Sequence, residues 1–128
     1  MPHHAHGTFD VKVQPLSAPE IEGVGRFSID KTIHGDLEAA TKGKMYTAGD
    51  PKSGVAGYVA IETVRGKLDG KSGGFVLQHF ATMDASGPDM TVKITPGSGT
   101  GELQGISGTF TIVIADGKHS YDLEYELP

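Results

Sequence analysis

The chain has no cysteine, which excludes a disulfide framework and any thiolate nucleophile or thiolate metal site. It has no apolar run approaching the ~18 residues that a membrane-spanning helix needs, and MPHHAHGTFDV at its start has no apolar core of a secretory signal. It is short of positive charge: the formal net charge is −5, with no basic stripe to displace counterions from a nucleic-acid backbone. A cytoplasmic protein is the resulting expectation. Helical periodicity is missing too, since no segment repeats its apolar residues at 3.6-residue spacing.

What is present is alternation. The 128 residues suffice for one domain with a real core but not for two, and residues 7–128 are expected to form it, with 1–6 as a flexible tail. Nineteen glycines, well above the average share of about 7%, are interleaved with β-branched and aromatic residues and read as turns and sheet corners. Eight strands are expected, at 7–13, 23–34, 36–47, 56–68, 74–84, 89–95, 109–115 and 119–127. Breakers separate them: Gly35, Asp50-Pro51, Asp69-Gly70, Ser86-Gly87-Pro88, Pro96-Gly97 and Asp116-Gly117. LDGKSGG is the clearest hairpin signal, and GELQGI within PGSGTGELQGISG is expected to make a short helical turn near 101–106. Eight short antiparallel strands make a sandwich or a closed barrel. Closure removes exposed edges, so an all-β, closed or nearly closed eight-stranded antiparallel barrel is favoured.

Parity fixes the faces of the central hairpin whatever its turn. Tyr58, Ala60, Glu62, Val64, Gly66 and Leu68 share one side of their strand. Phe75, Leu77, His79, Ala81 and Met83 share one side of the next. Both sides are the more apolar ones and are assigned to the interior, which makes Glu62 and His79 neighbours, directly opposite or on the diagonal. A buried carboxylate must find a partner or take up a proton; His79 meets that need, and Lys31, on a face with Phe27, Ile29 and Ile33, is placed to reach across. Such a cluster reads as a satisfied structural network, as a working polar site or, if the faces are inverted, as a solvated pair. Tyr58, Leu77, Tyr121 and Tyr125 would line the interior around it. Tyr121, Leu123, Tyr125 and Leu127 alternate with acids, apolar side in. The other face of the hairpin leaves Val59, Ile61, Val76 and Phe80 outside, an apolar patch that points to a homodimer or other homo-oligomer.

Other motifs carry less. HHAH at 3–6 would place His4 third from a new amino end once Met1 is removed, a pattern that wraps Cu(II) or Ni(II), but in a short polar tail it gives no metal assignment. GSGTGELQG lacks the lysine of a phosphate loop, and no serine sits in a nucleophile elbow. No cofactor is implied.

DKTIHGDLEAATKG, AGYVAIETVRGKLDGKSGGFVLQHFATM, PGSGTGELQGISG and ADGKHSYDLEYEL, in that order, resemble a family of small bacterial proteins known only as a domain of unknown function. The resemblance runs from about Gly7 to Leu127. Members of that family are similar in fold to the allene oxide cyclase barrel, so the resemblance implies a barrel rather than a sandwich. Plant allene oxide cyclases bind an unsaturated fatty-acid epoxide in an apolar cavity and cyclise it without a cofactor, with a glutamate and a cysteine in the pocket. This chain has no cysteine, and Glu62 matches by type alone, so the cyclase activity is not carried over. The expectation is a barrel that binds a small apolar or amphipathic molecule, in its catalytic form a cofactor-independent isomerase, cyclase or lyase using Glu62 and His79. The alternative is a lipocalin-like carrier or a self-associating structural module.

Overall fold

The run LDGK turns in two residues. Asp69 (φ 49°) and Gly70 (φ 84°) both lie in the left-handed region, the geometry that matches the twist of flanking strands, and Leu68 pairs with Lys71 across them. Asp116 (φ 53°) and Gly117 (φ 74°) turn in the same way and pair Ala115 with Lys118. These two hairpins set the register of half of the molecule.

The computed structural model describes residues 2–16 and 21–128. Its strands are β1 (His3–Pro15), β2 (Gly25–Gly35), β3 (Leu37–Asp50), β4 (Val55–Leu68), β5 (Lys71–Asp84), β6 (Gly87–Ile94), β7 (Thr100–Gly101), β8 (Ser107–Ala115) and β9 (Lys118–Glu126), with one 3-10 turn at Pro51–Ser53. The order β4-β3-β2-β1-β9-β8-β6-β5 closes through a β4–β5 pairing, giving an eight-stranded antiparallel barrel. β7 is an added two-residue strand against Gly73 and Gly74. Among the described residues no helix is long and apolar enough to cross a membrane.

Most strand boundaries shift from the alternation pattern, and three differences bear on register and core. β5 begins at Lys71 rather than 74, because the two-residue turn leaves Lys71–Gly73 to continue the ladder. β1 begins at His3 and pairs there with Tyr125, so residues 3–6, read as tail, are strand, with Ala5 in the core. The stretch 101–106 closes as successive turns, Leu103 N–H to Thr100 O (3.0 Å) and Ile106 N–H to Leu103 O (3.1 Å).

The two ends of the barrel differ. At one, the 95–106 connection folds Leu103 and Ile106 over Leu37, Leu68 and Phe75, all buried in one cluster; each such side chain contributes roughly 1.5–3 kcal/mol. At the other, inward-facing Phe27, Met45, Tyr58 and Met83 are only partly covered. The barrel is stoppered at one end and open at the other.

Candidate functional site

Between these ends the interior carries Lys31, Glu62 and His79, all buried. β4 pairs Ala60 with His79 and Glu62 with Leu77, so Glu62 and His79 meet on the diagonal. Across the other edge of β4, Glu62 faces Gly43. A Cβ there would lie 2.5 Å from the Glu62 Cβ and 2.5 Å from the Ile61 carbonyl oxygen; glycine leaves the space that the carboxylate uses. Lys31 pairs with Thr41, to whose hydroxyl its own backbone N–H donates at 3.2 Å, and its long stem carries the ammonium past β3 to Glu62.

Both partners converge on one oxygen. Lys31 Nζ donates to Glu62 Oε1 at 2.8 Å, and His79 Nε2 lies 2.6 Å from the same atom. Burial pushes the Glu62 carboxyl up. The His79 hydrogen bond, the Lys31 charge and hydrogen bond, and the His79 charge outweigh it and hold the group at about 2, against an ordinary 4.5. Glu62 is therefore an anion at neutral pH with no proton to give, so His79 Nε2 carries the hydrogen. The ammonium is flanked by aromatic faces, 5.0 Å from the Phe9 ring centre and 5.7 Å from that of Phe110, where cation–π attraction offsets part of its desolvation. Glu62 Oε2 is buried and has no hydrogen-bond partner among the described residues.

At the open end a cavity of about 270 Å³ is lined by Thr47, Tyr58, Ala81, Met83, Pro88 and Met90, among others, just below the ~300–1,000 Å³ usual for ligand pockets. Its Tyr58–Ala81 rung is the inward-facing neighbour of the Ala60–His79 rung, though Lys31, Glu62 and His79 are not among the cavity's lining residues. The Tyr58 ring is 6.4 Å from the His79 ring. Burial, and then the Glu62 charge, push its hydroxyl above the usual phenol value. A larger concavity, about 580 Å³, is bordered by the outward-facing Asp10, Lys12, Asp30, Lys42 and Arg65 and also by Lys31 and Thr41.

Of the residues singled out in the sequence, Lys31, Glu62 and His79 come together, Leu77 is buried on the rung opposite Glu62, and Tyr58 stands between cluster and mouth. Tyr121 and Tyr125 do not join them. The Tyr121 hydroxyl accepts from Leu37 N–H (3.1 Å) and donates toward the carbonyls of His34 (3.0 Å) and Leu37 (3.2 Å). The Tyr125 hydroxyl donates to the Asp69 carboxylate. Both fasten turns at the stoppered end. Gly43, Phe9 and Phe110 are the partners that alternation did not single out, because nothing local in GTFDV, TKGKM or TFTIV records which strands close on one another.

The family model for DUF3224, described as a protein of unknown function, matches residues 5–125. A crystal structure of a DUF3224-family protein of unknown function from Shewanella oneidensis MR-1 superposes with a TM-score of 0.90 at 42% sequence identity, over 100% of this chain and 98% of that one. No curated protein matches the chain.

Proposed function

The chain belongs to the DUF3224 family, and we propose that its barrel binds a small, mostly apolar molecule carrying one hydrogen-bond donor. The observation that carries this is Glu62 Oε2, a buried carboxylate oxygen with no partner among the described residues. An unmatched buried acceptor costs about 1–3 kcal/mol, more when charged, and a ligand N–H or O–H arriving from the open end relieves that cost. The neighbouring cavity supplies apolar walls, and Tyr58 stands on the way in.

In a catalytic form, a cofactor-independent isomerase, cyclase or lyase, the roles divide by basicity. A carboxylate held at about 2 is a poor proton acceptor at neutral pH. Glu62 then stabilises developing positive charge, and His79 moves the proton. A carrier needs only the hydrogen bond.

Fluorescence titration with N-phenyl-1-naphthylamine, a neutral aromatic amine, tests the binding. Saturable enhancement is expected, lost in Ala81→Trp, which fills the cavity, and weakened at least tenfold in Glu62→Gln. Circular dichroism establishes that both variants fold, and the Lys31→Met/Glu62→Gln pair serves if the single change does not. Undiminished enhancement in Ala81→Trp overturns the proposal. Once a reaction is found, turnover surviving in Glu62→Gln removes Glu62 from its chemistry.

A second reading is favoured by the outer wall, where Val59 and Phe80 pair directly and Val59, Ile61 and Phe80 are all exposed. A second copy of the chain, related by a two-fold axis, suits a patch of this kind.

A further inference from the structure

On the outside of the β1–β9 seam, two histidines and a carboxylate converge on one point. His4 and His6, two residues apart on β1, share its outward face, and β9 sets Glu124 opposite His4 and Asp122 opposite His6. Asp122 Oδ1 lies 3.1 Å from His4 Nδ1 and 3.4 Å from His6 Nδ1, and the three ligand atoms fall within 4.8 Å of one another. The imidazole planes are 10° from parallel.

From this geometry we infer a divalent transition-metal site of the zinc or copper class, with His4, His6 and Asp122 as ligands. Zinc bonds of about 2.1 Å in a tetrahedron hold their donor atoms about 3.4 Å apart, and the separations of 3.1 and 3.4 Å from Asp122 Oδ1 lie close to that edge. Two imidazole nitrogens with one carboxylate oxygen suit zinc, copper or nickel rather than calcium or magnesium. An exposed His–Asp ion pair requires one imidazole; here two present Nδ1 to the same oxygen. Glu124 Oε2 lies 4.0 Å from His4 Nε2, on the ring edge away from Asp122. That is the place of a carboxylate that orients a metal-bound histidine. The three ligands leave a position for water.

The site is distinct from the amino-terminal chelate that HHAH suggests. That chelate uses backbone nitrogens of the first residues, and here His3 and His4 are paired in the ladder with β9. It also has a structural consequence. β1 and β9 are the first and last strands of the barrel, so an ion held between them clasps the seam where they meet, and binding to the folded chain alone raises its stability.

The test uses the full chain without an affinity tag, zinc chloride as the probe, and competition with a chromophoric chelator. One zinc per chain is expected. His6→Ala and Asp122→Asn each weaken it at least tenfold, His34→Ala leaves it unchanged, and a one-residue extension of the amino end leaves it unchanged. Saturating zinc raises Tm in the parent and in His34→Ala but not in His6→Ala. Binding that survives His6→Ala and Asp122→Asn, or that is lost on extending the amino end, overturns the assignment in favour of the amino-terminal chelate. The absence of bound zinc at tens of micromolar overturns it outright.

Discussion

Among the described residues Glu62 has two donors on one oxygen and none on the other, which makes it the side chain with most at stake in the interior. Glu62→Gln leaves the Lys31 ammonium buried without a counter-charge, a change that costs about 3–5 kcal/mol. Lys31→Met/Glu62→Gln is expected to recover most of that loss. Urea unfolding of the single and double variants measures it, and simple additivity would show that the two groups are not coupled. The acid side has a definite sign. The folded chain holds this carboxyl at about 2 against an ordinary 4.5, so it binds the proton less readily than the unfolded chain. The stabilisation is complete above about 4.5 and is lost as the pH falls toward 2, on the order of 3 kcal/mol. Urea midpoints across that window should fall further in the parent than in the double variant. Gly43→Ala presses a methyl group against the Glu62 Cβ and is expected to cost about 1–3 kcal/mol, as overpacking does, with thermal unfolding as the check. The pairing of Glu62 with His79 was legible because parity fixes which side chains share a face, and a two-residue slip leaves the pair on the diagonal. The space left by Gly43 was not, since it depends on which strand lies on the far side of β4.

The hairpins show what a short element reveals and what it hides. LDGKSGG announced a turn, but its glycines masked that Asp69-Gly70 is the whole of it, and with the turn went the register. Counting back from Leu68 paired with Lys71 places Glu62 beside Leu77, a diagonal that the sequence left open with the direct pairing. The β4–β5 turn is also tied from outside by the Tyr125–Asp69 hydrogen bond. Burial, then that bond and the Asp69 charge, push the Tyr125 hydroxyl up to about 12 from an ordinary 10. A raised phenol favours the neutral folded form, so its contribution is intact below pH 10 and disappears as the pH climbs toward 12. Tyr125→Phe is expected to flatten the alkaline limb of the stability profile, measured by urea midpoints between pH 9 and 12. An unchanged limb would mean that the Asp69 contact adds nothing to the fold.

At the scale of the molecule, closure was readable from strand number and length, while the contrast between the ends was not: it comes from Leu103 and Ile106, in a connection where the sequence suggested a short helical turn but not that its apolar side chains cover the core. The outer wall yields the remaining expectation. Size-exclusion chromatography with light scattering should give twice the mass of one chain, and Phe80→Asp, which puts a charge at a position 64% exposed, should give the single-chain mass without loss of Tm. A parent that runs as a monomer at all concentrations removes the self-association reading.

A vessel sealed at its base is a cup and not a pipe. Under the binding proposal, cargo taken in over the rim at Tyr58 and Met90 goes back out the same way, so arrival and departure cross one barrier. Trimming the rim, as in Met90→Ala, should therefore speed both arrival and departure. Nothing can be handed through from one side to the other.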